Sequence, residues 1–125
     1  MKNKLFFEYM RYLSKHPSDI KRKSPPLSRR EKRNFSYERR LDLHGLTQDE
    51  AFTALSNFLK NCRECGCKKA LIITGGNAIR NSVLRRNFPE WMRLLDEHVV
   101  RYDQANLKHG GQGAFYVILK KMHKI

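Results

Sequence analysis

Between Leu41 and Gly45 apolar and polar positions alternate. Leu41 and Leu43 oppose Asp42 and His44, the pattern of a half-buried strand whose two polar side chains leave by one face. Thr47-Gln48-Asp49-Glu50 follows with the spacing of a capping box, Thr47 as N-cap and Glu50 reaching back. The helix it opens carries Ala51, Phe52, Leu55, Phe58, Leu59 and Cys62 as an apolar stripe, with Gly66 as a left-handed cap. Lys69 to Thr74 is a short aliphatic and β-branched run ending in Gly75-Gly76, which suits a strand buried on both faces. Such a β-α-β unit is right-handed and joins parallel strands, so the first two strands end on the same edge of the sheet.

Further along, a second helix is predicted from near Ala78, with Val83 and Leu84 inward. Pro89 restarts a short helix anchored by Trp91 and Leu94. His98 to Tyr102 and Ala114 to Leu119 read as strands that pair as a hairpin. The expected fold is α/β, with a four-stranded mixed sheet and elements in the order βαβαββ over residues 41–125. If the third strand is another parallel crossover, the loop that follows it lies on the same edge as the first two strand ends.

Upstream the pattern changes. Leu5, Phe6, Tyr9, Met10 and Leu13 recur at helical spacing, which predicts a short amphipathic helix over residues 3–14 that needs a surface to dock on. Residues 15–40 combine paired prolines, serines and basic clusters with almost no apolar spacing. Residues 1–40 are therefore expected to be a basic, largely flexible arm lying along phosphate backbones, with Phe35 or Tyr37 available to stack on a base.

Charge sharpens this division. The chain has a net charge of +14, and residues 1–40 carry 13 Lys and Arg against 4 Asp and Glu, so most of the excess sits in about one third of the length. An excess of one sign points to a polyanion, nucleic acid before an anionic membrane surface. No stretch is apolar and long enough to span a membrane, and the start lacks a signal peptide's uncharged run, so a cytoplasmic location is expected. Cys62, Cys65 and Cys67 lie too close together for a disulfide framework. No second Cys/His pair stands at finger-like spacing, which leaves reduced thiols at a helix end.

The candidate chemistry gathers at the predicted edge. Asp42 and His44 meet Thr74-Gly75-Gly76-Asn77 there, and the loop holding Lys108, His109, Gly110, Gly111 and Gly113 joins them. Arg80, Arg85 and Arg86 spread around the second helix. Its first-turn amides and the glycine loop offer a cradle for phosphate. Taken alone, the first motif could be a solvated strand end and His109 a plain hairpin tip. The spaced Gly-Lys-Ser/Thr of a Walker loop is missing, which argues against nucleotide triphosphate hydrolysis.

LDLHG at 41–45, TGGN at 74–77, VLRRNFPEWM at 83–92 and GGQGAFYVIL at 110–119 stand in the order of the Smr (small MutS-related) domain family, which the chain resembles over most of residues 39–121. The resemblance implies a compact two-layer α/β domain similar to the C-terminal domain of translation initiation factor three. It also implies action on nucleic acid, as a nicking or RNA endonuclease, in some bacterial members on ribosomes. By position, Asp42 and His44 match the motif thought to be catalytic, and Thr74, Gly75 and Gly76 match the substrate loop. Asn77 stands where the family usually has glycine.

Chemistry then separates two substrates. In RNA the 2′-hydroxyl can attack, so His44 can act as base or acid with Asp42 orienting it and no metal. DNA needs an activated water and hence Mg²⁺ or Mn²⁺ recruited partly by the phosphate, because one carboxylate and one imidazole make no fixed metal site. The expected protein is a monomeric endonuclease acting on RNA or DNA. The alternative is a module that binds nucleic acid or the ribosome without cutting.

Overall fold

The structure, a computed structural model, describes residue 11, residues 25–75 and residues 82–122, with the backbone alone for Ser82 and Gln112. Of the helix expected over residues 3–14 only Arg11, helical and exposed, is described; the rest of it and the second helix's predicted start near Ala78 lie outside these residues. In chain order the elements are α1 (Arg29–Arg33), β1 (Arg39–Asp42), α2 (Gln48–Glu64), β2 (Lys69–Ile73), α3 (Ser82–Leu94), β3 (Val99–Gln104) and β4 (Ala114–Leu119). Two single-turn 3₁₀ helices, Leu107–His109 and Gly111–Gly113, lead into β4.

The strands form one mixed sheet in the order β1-β2-β4-β3. β1 runs parallel to β2, and β4 runs antiparallel to both β2 and β3. β3 therefore points the same way as β1 and β2, so the βα, βα and β3-β4 loops all open on one edge, as the crossover rule requires. β3 carries a register shift between Val99 and Arg101, which turns Val100 outward.

One sheet face is covered by α2 and α3. Thr47 and Glu50 close the predicted capping box, and Ala51, Leu55, Leu59 and Cys62 form the buried stripe of α2. Phe52 and Phe58 flank that stripe half-buried. α3 is a single helix running through Pro89 rather than two helices broken at it. Leu84, Phe88, Trp91, Met92 and Leu95 lie on one face across the proline and are all buried. Each large buried side chain is worth roughly 1.5–3 kcal/mol, which together exceeds the ~3 kcal/mol cost of an interior proline. Phe88 stacks on Phe115 at 4.0 Å between ring centroids and meets Tyr102 edge-on at 5.9 Å.

The other face of the sheet is covered too, by residues expected to be a flexible arm. Leu27 and Phe35 are buried there with Leu71, Ala105, Ala114 and Tyr116. Phe35 lies flat on Tyr116, centroids 4.1 Å apart, so it is spent on the core and not free to stack on a base. α1 has its own capping box from Ser28 and Glu31, and the Leu27 amide donates to Asp103 Oδ2 at 3.1 Å. The Glu31 carboxylate pairs with both guanidinium nitrogens of Arg101 on β3. The physical reason for the correction is the sheet itself: β2 buries Ala70, Leu71 and Ile72 on both faces, so something had to cover the second one.

The Arg101 side-chain hydrogen bonds, helped by the Ser28 amide, hold the Glu31 carboxyl down from its ordinary 4.5 to about 2. A carboxylate whose folded value is depressed stabilises the fold fully above about pH 4.5, and that contribution disappears as pH falls through about 2. The pair is solvent-exposed, so its effect is small. Thermal melts of wild type and Glu31→Gln should differ by a degree or two at pH 6 and draw together as pH falls from 4.5 towards 2; a gap that widens on acidification would contradict the pairing.

Candidate active site

β1 ends at Asp42, and the chain turns there because Asp42 Oδ1 accepts the His44 backbone amide at 3.0 Å, a local turn that aspartate favours. The same oxygen lies 2.7 Å from His44 Nδ1. The side chains expected to share a strand face thus do meet, although a turn rather than a continued strand brings them together. Leu41 and Leu43 point into the helix-covered core, so Asp42 and His44 open on the opposite face. Asp42 pairs with Ile73, which pairs with Ala114, and the three form a row across that face.

Burial opposes ionisation of Asp42, but the hydrogen bonds from the His44 ring and amide, together with the charges of His44 and Arg40, outweigh it and hold the carboxyl below its usual range. An ionised carboxylate only accepts, so His44 Nδ1 carries a proton whether or not the ring is charged, and in the neutral imidazole Nε2 is left with its lone pair. The imidazole is 66% exposed and its partner 37%, which places that lone pair within reach of a bound chain.

The glycine motifs close on this pair. The Thr74 and Gly75 amides donate to Gly113 O at 2.8 and 3.0 Å, tying the β2 loop to the β4 loop. A Cβ on Gly75 would sit 3.1 Å from His44 Cβ, and one on Gly113 would sit 3.0 Å from Gly75 O. Thus Asp42, His44, Thr74, Gly75, Gly110, Gly111 and Gly113 share one edge. Gly76, Asn77 and Arg80 lie outside the described residues. Between the Gly45–Gln48 turn, Thr74 and the start of α3 is a cavity of about 210 Å³.

Two expected phosphate contacts are otherwise engaged. The amides of Gly75, Gly110, Gly111 and Gly113 already donate within the protein, to Gly113, Leu107, Asn106 and Gly110 carbonyls, so these glycines supply close approach rather than an amide cradle. Lys108 Nζ donates to Arg33 O at 3.0 Å and pins the loop to the α1 segment. His109 packs edge-on against Tyr37 and Tyr116, while half-buried Arg85 and exposed Arg86 belong to the helical layer. Arg40, missed in the sequence, lies beside Asp42; the alternation that paired Asp42 with His44 also puts residue 40 on their face.

Cys62 and Cys67 are buried and Cys65 is exposed. Among the described residues no cluster of three or more His, Cys, Asp or Glu could hold a metal ion, and no helix is long and apolar enough to cross a membrane.

The tight glycine contact makes a prediction. Gly75 has φ +73°, which disfavours any side chain by about 1–2 kcal/mol, and a methyl there presses on His44. Gly75→Ala should lower stability by that order and cut turnover more than tenfold by displacing the imidazole; unchanged turnover would show that His44 is not held by this contact.

A βαβαββ domain whose Leu-Asp-Leu-His-Gly turn meets two glycine loops is an Smr domain: the family model of that description matches residues 41–120, and the chain belongs to this family. It is 32% identical over 83 residues to the ribosome rescue factor SmrB of Vibrio cholerae serotype O1 (strain M66-2), covering 63% of this chain and 40% of that protein. It is also 32% identical over 89 residues to endonuclease MutS2 of Finegoldia magna, covering 71% of this chain and 11% of that protein. The chain therefore spans less than half the length of either relative. Among solved structures it is similar to the Smr domain of Thermus thermophilus MutS2, with TM-score 0.60 and 28% identity over 66% of this chain and 98% of that one. It is likewise similar to YdaL, a stand-alone small MutS-related protein from Escherichia coli, with TM-score 0.64 and 26% identity over 74% of this chain and 73% of that one.

Proposed function

We propose that this protein is an endonuclease that cuts RNA, with His44 as the proton-transfer group and Asp42 as its partner. The observation that carries the reading is the 2.7 Å contact between Asp42 Oδ1 and His44 Nδ1 at the glycine-lined edge, which leaves Nε2 as an exposed base. In RNA, Nε2 takes the 2′-hydroxyl proton, the 2′ oxygen bonds to the adjacent phosphorus, and the bond to the 5′ oxygen breaks. The imidazolium then returns its proton to that leaving oxygen. The products are a 2′,3′-cyclic phosphate and a 5′-hydroxyl, and no other reagent is consumed. Arg40 supplies positive charge beside the reacting phosphate.

The names of the relatives, a ribosome rescue factor and an endonuclease, support nucleic acid or the ribosome as partner and the cytoplasm as location. The donor set does not fit a tightly held divalent cation: both described hydrogen bonds of Asp42 go to one oxygen, and a single carboxylate is too few ligands for Mg²⁺ or Mn²⁺. The test is incubation with end-labelled single-stranded RNA and with supercoiled DNA, each with and without EDTA. RNA should be cut in both conditions. Nicking of DNA in metal alone would replace the substrate, and binding without any cleavage would leave a docking module in place of an enzyme.

A further inference from the structure

We propose that Tyr116 is a positioning residue that holds His109 in the tautomer protonated at Nε2, so that His109 donates a hydrogen bond to a phosphate of the bound strand. The inference rests on the nucleic-acid reading above and adds a second histidine with the opposite assignment to His44.

The geometry decides the tautomer. The Tyr116 hydroxyl accepts the Asn106 backbone amide at 3.3 Å and lies 2.5 Å from His109 Nδ1. A phenol has one proton to place. Tyr116 is fully buried, and burial raises its hydroxyl above the ordinary value, so that proton stays. If Nδ1 also carried a proton, the hydroxyl would accept twice and its own hydrogen would be left without a partner inside an apolar cluster, at a cost of about 1–3 kcal/mol. The hydroxyl therefore donates to Nδ1, and neutral His109 has its hydrogen on Nε2.

The ring is clamped in place. Tyr116 and Tyr37 meet it edge-on at 5.4 and 5.5 Å between centroids, and Phe35 backs Tyr116 from the covered side of the sheet. The next residue, Gly110, sits over Ala114, whose Cβ would lie 3.0 Å from a Cβ there. Ala114 belongs to the cross-sheet row that ends at Asp42, two strands away. At about 4.8 Å between strands, Asp42 and Ala114 are on the order of 10 Å apart, so His109 belongs to a different part of the edge from the Asp42–His44 pair. The described loop glycine amides are spent internally and Lys108 reaches back to Arg33, so the Nε2–H adds a directional donor to the loop beside the Lys108 charge.

The experiment is long-range ¹H–¹⁵N NMR on the histidine rings of the full chain, with inorganic phosphate and a short single-stranded RNA as probes. Wild-type His109 should show the Nε2–H pattern, and either probe should move its Nε2 resonance. Tyr116→Phe should retain the fold by circular dichroism, lose the single-tautomer pattern and bind the RNA about tenfold more weakly, as should His109→Ala. The double variant should be no weaker than either single one. A response to phosphate without binding of RNA would keep the His109 assignment and remove the nucleic-acid reading. An Nδ1–H pattern in the wild type, or a Tyr116→Phe protein that is less stable yet keeps both tautomer and affinity, would overturn the inference.

Discussion

Asp42→Ala and His44→Ala should each lower single-turnover RNA cleavage by about a hundredfold or more while changing affinity by a fewfold at most. The imidazole is expected to move a proton in the transition state, a contribution worth roughly 10²–10⁴ in rate, and it supplies little of the binding that basic side chains provide. Asp42→Asn is the more informative variant. An amide can still accept from Nδ1–H, but it can also present its NH₂ to Nδ1, which would move the ring proton to Nε2 and block the base. Its rate should fall nearly as far as that of the alanine variant despite conserved shape. Gel shifts under the same conditions give the affinities. If both alanine variants cut at the wild-type rate, the pair is not the chemistry.

Phe35→Ala should destabilise the protein by about 3 kcal/mol, the lower end for losing a buried phenylalanine because the site lies near the surface. Phe35 is buried, stacked on Tyr116 and overlain by the Lys69 ammonium 5.5 Å from its centroid. Its removal uncovers Leu71 and Tyr116 at the centre of the second sheet face. Urea melts compared at equal slope measure the loss. A residue in a loose tail would change stability by no more than about 0.5 kcal/mol, so a value that small would return residues 27–37 to the arm.

Where local rules coincide with tertiary need, the sequence was readable. The Thr47–Glu50 box, the α2 stripe and the aliphatic run of β2 each satisfy one periodicity, and crossover handedness then placed the loops on one edge without reference to side chains. In α3 the strong local signal of Pro89 points to a break, and only the packed stripe from Leu84 to Leu95 shows that burial overrides it. The α1 segment is hidden in the sequence for a related reason: two apolar residues among many basic ones make no periodic pattern, yet Leu27 and Phe35 pack on the second sheet face. The signal was present in β2, whose residues are apolar on both sides and therefore require two covers.

At the site, i and i+2 spacing is enough to bring Asp42 and His44 together, and the same spacing puts Arg40 on their face. The glycines were legible as points of close approach but not as occupied donors, because hydrogen bonds between Gly75 and Gly113 depend on two loops that meet only in the fold. The engagement of Lys108 with Arg33 is of the same kind.

The most direct measurement is end-group analysis of RNA cut by the wild-type protein in EDTA. Attack by the 2′-hydroxyl through His44 predicts a 2′,3′-cyclic phosphate on one fragment and a 5′-hydroxyl on the other, with no cutting where the scissile nucleotide is 2′-deoxy. A 5′-phosphate product, or cleavage that survives the 2′-deoxy substitution, would contradict it.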